Sequence, residues 1–383
     1  MKKLCFVATI PAAVHSFLKD NIRASAEKWS VTIISCPDGT GLLSDLNVNL
    51  ISLAIERKPS PWRDLLALVR MVILFRRERF DLIHSIMPKT GLLAMLAGWL
   101  ACVPSRAHTF TGQVWATKRG WKRAVLKQID RLIVFFATHI LVDSPSQRDF
   151  LVSEGVLPQG KGVVIGQGSI CGVDAYRFHP DVQVKERVRA ELNIGHEQIV
   201  ILFLGRLNRD KGILNLATAF ADIARSRDVV LVLVGAEEDV PFSLVQEICG
   251  MHRNRLRRVS FTPTPERYMA AADIFCLPSY REGFGQVIIE AAASGVPTVA
   301  SRIYGVTDVV EDNKTGCLFP PGDVVGLTQA LLKLIEDPNL RRQIGGAARL
   351  RALVCFSSQK ITSETVAFYS ELLENTGDRP CNF

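Results

Sequence analysis

The sequence predicts an α/β protein of two doubly wound, Rossmann-like domains, and three observations support this. Apolar runs of strand length alternate with helical segments along most of the 383-residue chain. This length exceeds what one hydrophobic core usually serves, which predicts two domains. The content of 48% hydrophobic and 22% charged residues is typical of a globular protein and excludes disorder as the main state.

The elements follow the same order in both halves of the chain. Strand candidates in the first half lie at 4–10, 31–36, 50–55, 81–86, 107–112, 140–144 and 163–168, with helix candidates near 14–28, 62–79, 89–102, 120–137 and 146–154. In the second half strands lie at 199–205, 229–235, 259–262, 274–278 and 297–301, with helices near 212–226, 241–250, 265–272, 284–294, 323–336, 339–353 and 358–374. Strands separated by helices predict parallel sheets with helices on both faces.

The domain boundary is expected around 172–191, where Asp174, His179, Pro180 and Asp181 interrupt the patterns. We therefore expect an N-terminal domain over 1–175 and a second domain over 176–357, with a cleft between them. The remaining segment, 358–383, is expected to contribute a C-terminal helix that packs back on the N-terminal domain.

Charge is distributed unevenly along the chain. The net charge of +8 divides into +10 over the first 180 residues and −2 over the remainder. A basic half predicts an anionic partner: a membrane surface, a nucleic acid or a phosphorylated substrate. Nine scattered cysteines without a C-x-x-C pair, no signal-peptide pattern and no apolar stretch of spanning length predict a cytoplasmic location.

Two segments of the first half combine aromatic or apolar residues with basic ones. Segment 62–79 ends in an arginine cluster, and segment 114–127 interleaves Trp115 and Trp121 with lysines and arginines. This patterning suits an interfacial segment on anionic lipid. The alternative is that each segment is an ordinary packed helix with a solvated basic face.

The stretch 274–301 reads as a strand, a turn, a helix and a second strand, with Gly295 where a helix C-cap glycine belongs. Glu282 lies in the turn and Glu290 in the helix, roughly 9 Å along the axis from its start at ~1.5 Å per residue. Free N–H groups at that start are suited to an anion. The stretch is therefore able to bind a head group, a phosphate and a hydroxylated ring; the alternative is that both glutamates are solvated surface charges.

A second motif, FLGRLNRDKG at 203–212, places charges at the end of another strand. Arg206 follows the strand, and Lys211 precedes the next helix. Ligands of open parallel sheets bind at the carboxyl ends of strands. There the guanidinium of Arg206 could donate two parallel hydrogen bonds to a diphosphate, and the ammonium of Lys211 could add a compact positive charge.

The sequence lacks the motifs of several other kinds of functional site. The sequence has neither a D-x-D pair nor a His/Cys set with metal-ligand spacing, so we expect no metal and no other cofactor. A G-x-S-x-G elbow and hydrolase-type acid–base pairs are missing as well. Gly166 and Gly168 lack the dinucleotide-binding spacing.

GRLNRDKG, followed by EGFGQVIIEA, SGVPTVAS and Gly305, resembles the retaining glycosyltransferases of family 4, whose two-domain fold is called GT-B. Segments 85–97, 108–112 and 166–178 resemble the branch that builds capsule, O-antigen and related surface polysaccharides, including lipopolysaccharide, on a polyprenyl-diphosphate carrier. The resemblance covers nearly the whole chain, and its second-half motifs are the more specific.

The resemblance implies roles for individual residues. Arg206 and Lys211 would hold the nucleotide diphosphate and neutralise the leaving group, and Glu282 would contact the donor sugar where bonds change. The residues implied in donor binding are Gly283, Phe284, Gly285, Glu290 (ribose hydroxyls), Thr262 and Pro263 (base), and Gly305. The second domain would thus bind the donor, and the N-terminal domain the acceptor.

The acceptor side departs from the family pattern. No glycine-rich turn follows the first strand, and Phe110-Thr111-Gly112 occupies the place of a cleft histidine that many members carry. The acceptor-side candidates are His108, Thr111, Gly112, His15 and Lys89. His108 either faces the cleft or is a packed strand residue.

The resemblance implies an enzyme that moves a sugar, with a UDP-linked N-acetylhexosamine favoured, onto a polyprenyl-diphosphate-linked saccharide. It would be a hexosyltransferase, independent of metal, and peripheral on the inner face of the cytoplasmic membrane through its basic N-terminal domain. The alternatives are a nucleotide-sugar epimerase on the same fold and a nucleic-acid-binding protein; the basic half shows no stacking motif or helix-turn-helix pattern that favours the latter.

Overall fold

The computed structural model describes residues 1–37, 40–56 and 60–374, which form two compact units. The first unit contains Met1–Cys171 and the segment that begins at Ser358; the second contains Gly172–Ser357. The division falls slightly before the expected one after residue 175. The expected tail beyond residue 374 lies outside the described residues.

The first part of the chain contains β1 (Lys3–Val7), α1 (Pro11–Phe17), α2 (Lys19–Ala26), β2 (Ser30–Ser35), β3 (Asn49–Ser52), α3 (Pro61–Glu78), β4 (Leu82–Ile86), α4 (Pro88–Leu100), β5 (Ser105–Phe110), α5 (Gly120–Phe136), β6 (His139–Val142) and α6 (Pro145–Ser153). The second part contains α7 (Val182–Glu191), β7 (Ile199–Leu204), α8 (Ile213–Ala224), β8 (Val229–Val234), α9 (Phe242–Cys249), β9 (Leu256–Val259), α10 (Pro265–Ala271), β10 (Ile274–Leu277), α11 (Gln286–Ala293), β11 (Thr298–Ser301), β12 (Gly316–Phe319), α12 (Val324–Glu336), α13 (Pro338–Cys355) and α14 (Ser358–Glu374).

Each unit is built on one parallel sheet, and the two sheets share a strand order. Within the described residues the first runs β3-β2-β1-β4-β5-β6, and the second runs β12-β11-β10-β7-β8-β9. Numbered within its own unit, the second sheet has the order 3-2-1-4-5-6 of the first, read from the other edge. This is the doubly wound order in which successive crossovers reverse direction beside the first strand.

The central strands are apolar because helices cover both of their faces. Strand β8 reads VVLVLV and is buried throughout. Its alternate residues enter two different cores, Leu231 and Leu233 on one side and Val230 and Val232 on the other. Continuous β-branched and leucine runs of this kind are the signature of a parallel sheet buried on both sides.

Helix α14 belongs to the first unit although it ends the described chain. Its Tyr369 is fully buried, and the Tyr369 hydroxyl lies 2.6 Å from His84 Nδ1 on β4. In the described part of the chain, no helix combines the length and apolar character needed to cross a membrane.

Several element expectations are wrong. Segment 163–168 makes a single bridge, Leu141 to Val163, because Gly166 and Gly168 have positive φ and break the extended run. The helix expected at 14–28 is two helices that meet at Leu18, and β9 lies just before its expected place. Helix α7 and strand β12 were not expected at all.

Candidate active site

The predicted donor residues lie where the second sheet reverses its winding. Strands β7 and β10 are neighbours, yet their crossovers lead to opposite edges of the sheet. The loops after them, 205–212 and 278–285, therefore leave a crevice between them at the carboxyl edge, the usual ligand position in such sheets.

Backbone and side-chain contacts fasten these two loops together. The Tyr280 N–H donates to the Asp210 carbonyl at 2.8 Å, and Arg281 Nε donates to the Asp210 carboxylate at 2.9 Å. Gly212 has φ +68°, and a Cβ there would lie 2.0 Å from the Pro278 carbonyl oxygen. Only glycine fits this approach without displacing backbone.

Lys211 and Glu282 meet in the crevice. Lys211 Nζ lies 2.6 Å from Glu282 Oε1, and the two side chains are only 21% and 12% exposed. The Asn208 side chain accepts a hydrogen bond from the Lys211 N–H at 2.9 Å and so caps the single turn Arg209–Lys211 that carries the lysine. A cation and a carboxylate are thus held side by side, largely out of water, where Coulomb interactions are stronger than at the surface.

Arg206 has a different partner. Its Nη1 lies 2.6 Å and 2.8 Å from the two carboxylate oxygens of Glu238, in the loop after β8, and Asn208 Nδ2 donates to the same carboxylate at 2.6 Å. Both charged side chains are about half exposed. Glu238 was not among the residues expected at the site, and the only sign of it in the sequence is the acidic pair Glu237 and Glu238 shortly after β8.

Gly283, Phe284 and Gly285 are buried beside the start of α11. The helix begins at Gln286, two residues later than predicted, with Gly285 at the N-cap in the left-handed region (φ +64°). Phe284 packs edge-on against Phe356, with ring centroids 5.3 Å apart. At Gly305 a Cβ would lie 2.4 Å from the Gly283 carbonyl oxygen, so this glycine permits the loop after β11 to cover the turn.

Glu290 lies one turn into α11, about 6 Å along the axis from its first residue rather than 9 Å. Burial raises the pKa of Glu290 to about 7, while the charge of Arg177 and a hydrogen bond from Gln286 act to lower it. Buried carboxyls whose pKa is shifted towards neutral occur often at functional sites.

Arg177 connects Glu290 to the predicted base contacts. Its Nε donates to Glu266 Oε2 at 2.9 Å, and its Nη2 donates to the Pro263 carbonyl at 2.8 Å. Thr262 closes the same turn, because its hydroxyl accepts from the Thr264 N–H at 3.1 Å. Arg177 lies nearly ninety residues before Pro263 and Glu266. It belongs to segment 166–178, which the sequence singled out, but nothing in that segment indicated a role for Arg177 itself.

The acceptor-side candidates have partners of their own in the first unit. His108 is fully buried; its Nδ1 lies 2.9 Å from Ser85 Oγ, and burial lowers its pKa to about 3. Burial favours the packed-strand alternative for this histidine. Lys89 Nζ lies 2.6 Å from Asp64 Oδ1, and His15 Nε2 lies 3.5 Å from Lys19 Nζ.

Thr111 and Gly112 are half-buried in the turn after β5, where Gly112 has φ +105°. Across the described ranges, no group of three or more His, Cys, Asp or Glu side chains is arranged to hold a metal ion.

Comparison with known proteins gives matches along both units. Residues 184–351 match the family model described as glycosyl transferases group 1, and residues 18–168 match a glycosyl transferase 4-like domain. The capsular polysaccharide biosynthesis glycosyltransferase CapM of Staphylococcus aureus is 30% identical over 325 residues, 84% of this chain and 85% of CapM. The UDP-Gal:alpha-D-GlcNAc-diphosphoundecaprenol alpha-1,3-galactosyltransferase of Escherichia coli is 27% identical over 81% of each chain.

Solved structures show the same fold. HepE of Anabaena, crystallised with UDP-glucose, aligns with a TM-score of 0.81 at 20% identity over 97% of this chain and 100% of HepE. WaaG, a glycosyltransferase involved in lipopolysaccharide biosynthesis, aligns with a TM-score of 0.73 at 16% identity over 96% of this chain and 99% of WaaG. Given two matched domains, a relative at 30% identity and this fold, the chain belongs to glycosyltransferase family 4 and is a glycosyltransferase of the GT-B type.

Proposed function

We propose that this enzyme transfers a sugar, with retention of anomeric configuration, from a nucleotide-diphosphate sugar to a polyprenyl-diphosphate-linked saccharide in surface-polysaccharide biosynthesis. The relatives support the substrate classes: one is named for UDP-galactose and a diphosphoundecaprenol-linked acceptor, and another for capsular polysaccharide. The second unit holds the donor, and the first unit meets the acceptor. An N-acetylhexosamine donor is the favoured specific case.

The observation that carries this proposal is the Lys211–Glu282 pair in the crevice between the β7 and β10 loops. Without a donor each charge neutralises the other. When a diphosphate enters, Lys211 turns to the phosphate oxygens, and Glu282 is released to accept hydrogen bonds from the sugar hydroxyls. As the bond between the sugar C1 and the diphosphate breaks, negative charge grows on the leaving phosphate, and Lys211 together with Arg206 stabilises it.

The rest of the donor follows helix α11. The N–H groups of Gly283, Phe284 and Gly285 lie at the turn that leads into the helix, where backbone donors and the helix dipole favour phosphate. Glu290, one turn further along, accepts from the ribose hydroxyls. Thr262 and Pro263 contact the base.

The proposal also covers the metal requirement of the enzyme and its location in the cell. Catalysis proceeds without a metal, because Lys211 and Arg206 supply the positive charge that a cation would otherwise provide. The enzyme works at the inner face of the cytoplasmic membrane, where a polyprenyl-linked acceptor is available. If catalysis is independent of metal, sugar transfer should be undiminished in the presence of a chelator.

The test is a panel of nucleotide sugars incubated with the purified protein and a synthetic lipid-diphosphate saccharide, with products identified by mass. We expect one donor to give an acceptor extended by one sugar, and only when the acceptor is present. Conversion of the donor without acceptor would instead identify an epimerase. Salt-sensitive DNA binding with no binding of any nucleotide sugar would overturn the proposal altogether.

A further inference from the structure

Helix α3 exposes one apolar stripe. Trp62, Leu66, Val69 and Ile73 follow the three-to-four-residue spacing of one helix face and are 83%, 49%, 47% and 62% exposed. The side chains on the opposite face, Ala67, Met71 and Phe75, are buried in the core of the first unit. The helix therefore has two apolar faces, and only one of them is covered within its unit.

Helix α5 repeats this arrangement. Trp121, Val125, Leu132 and Phe135 lie on one face and are 72%, 50%, 45% and 74% exposed, while Ile133 faces the core. Singly exposed apolar side chains are ordinary, but two adjacent stripes of large ones mark an interaction surface.

The two stripes face the same side of the unit. Met71 and Phe75 of α3 and Ile133 of α5 enter one core cluster, on the same face of the first sheet. Helix α4 lies between α3 and α5 and contacts both. Its Trp99, 42% exposed, adds to the outer surface.

Basic residues surround these stripes and indicate the partner. The exposed ones on or beside the two helices are Arg63, Arg70, Arg76, Arg77, Arg79, Lys118, Arg119, Lys122 and Arg131. A second copy of the same face would bring these like charges together, which disfavours a symmetric dimer. Large apolar side chains at the centre with cations around them suit the interface of an anionic bilayer.

Part of the basic and aromatic pattern in the sequence does not belong to this surface. Trp115 is fully buried, and its indole N–H donates to Asp130 at 2.7 Å. Arg123 and Lys127 pair with Glu154 at 2.6 Å and 2.8 Å. Of the aromatic and basic residues in segment 114–127, only Trp121 and the exposed cations near it therefore belong to this surface.

We propose that the outer face of α3 and α5 docks the enzyme on an anionic lipid bilayer, with Trp62, Ile73, Trp121 and Phe135 inserted at the interface. This deepens the proposed function, because the carrier of the proposed acceptor lies in that bilayer. Docking itself requires neither donor nor transfer, so it is tested separately.

The experiment measures co-sedimentation with vesicles that contain about a third anionic lipid. A variant with Trp62→Ser, Ile73→Ser, Trp121→Ser and Phe135→Ser should lose at least about tenfold in vesicle partitioning. Its UDP affinity should stay within about twofold, since the donor residues lie in the other unit. The matched control replaces Met251, Val325, Leu350 and Val354, which are 86%, 67%, 66% and 59% exposed in the second unit, by serine and should bind vesicles normally.

A charge variant provides a second, independent measurement. Arg70→Glu with Lys122→Glu should weaken binding to anionic vesicles more than to neutral ones, and added salt should reduce the difference. Wild-type-like vesicle binding by both variants would overturn the proposal, as would a dimer that the fourfold serine variant converts to monomers. Intact vesicle binding with no transfer from any donor would count against the proposed function alone.

Discussion

The two units share a strand order but place their polar groups differently. At the switch point of the second sheet, glycines 205, 212, 283 and 285 line the loops, and charged side chains meet between them. The corresponding connections of the first sheet are much shorter, residues 8–10 between β1 and α1 and Met87 alone between β4 and α4, and neither connection contains a glycine. A backbone that must approach phosphate closely needs glycine, so the shared strand order alone does not make a phosphate-binding site.

The first unit uses its buried polar groups internally. His84 bonds Tyr369 and Thr109, and His108 bonds Ser85. These contacts connect strands and the last helix, and burial lowers the pKa of both imidazoles to about 3. His84, with a partner at each ring nitrogen, fixes packing in this way, whereas His108 keeps its Nε2 buried without a partner among the described residues. The paired charges of the second unit's crevice are instead partly exposed and able to change partners.

Breaking the crevice pair should have the largest effect on activity. Lys211→Ala and Glu282→Ala should each lower kcat by about 10²–10³-fold, because each removes a preorganised charge at the reacting centre. Lys314→Ala, at a lysine that is 77% exposed in the same unit, is the matched control and should leave kcat unchanged. Steady-state kinetics with thermal unfolding as a check on folding measures this; wild-type turnover in either crevice variant would refute the site.

The glycine difference between the units can be tested at Gly305. Gly305→Ala should cost about 2–4 kcal/mol of unfolding free energy, since it adds a clash with the Gly283 carbonyl to the strain of a positive φ. Gly250 also has a positive φ but has no atom within 4 Å of the added Cβ, so Gly250→Ala isolates the strain. Chemical denaturation and UDP titration of both variants give the comparison. If Gly305→Ala and Gly250→Ala lost equal stability and Gly305→Ala kept its UDP affinity, the close approach of Gly305 to the Gly283 carbonyl would be shown to be unimportant.

The meeting of Lys211 and Glu282 could be predicted because their signals are local. Lys211 and Glu282 each follow an apolar strand, and parallel strands place their carboxyl ends at one edge. The pairing of Arg206 with Glu238 and the position of Arg177 against Pro263 could not be predicted, because these contacts join loops 32 and 86 residues apart with no periodicity to link them.

Element prediction failed where burial is slight or the element short. Helix α7 buries only Val188 and Arg189, so its apolar pattern is weak, although the Asp181 side chain that caps its first turn was a usable signal. Strand β12 is four residues long and begins with glycine. Segment 62–79 was correctly predicted to be a helix, but because α3 has two apolar faces, its sequence left open whether it is an ordinary packed helix or an interfacial one.

Removing one internal bond of the first unit should affect stability without affecting the donor. Tyr369→Phe leaves His84 Nδ1 without its hydroxyl partner and should cost about 1–3 kcal/mol of unfolding free energy. UDP affinity should be unchanged. Tyr176→Phe, at a tyrosine that is 84% exposed, is the control for stability and should cost nothing measurable. A loss of UDP affinity in Tyr369→Phe would mean that the two units are not independent in this respect.

The smallest effect, and the finest contrast between the units, is expected from pH. Burial raises the pKa of Glu290 to about 7 from 4.5, so this group stabilises the folded protein at low pH and loses that contribution as pH rises through about 7. His84 acts in the opposite sense: its pKa is lowered from 6.5 to about 3, so its contribution is present above pH 6.5 and is lost as pH falls towards 3.

For the nucleotide, the ionised Glu290 is the better acceptor of ribose hydroxyls, so UDP affinity should rise with pH. About a tenth of the carboxyls are ionised one unit below the pKa and about nine tenths one unit above it, which limits the rise to roughly ninefold. In Glu290→Gln the UDP phosphate still titrates, but the carboxyl at position 290 is gone. The ratio of the wild-type UDP affinity to that of Glu290→Gln therefore reports the effect of ionising Glu290 alone. Calorimetric titration from about pH 6 to 8 measures that ratio, and a ratio independent of pH would place the ribose contact elsewhere.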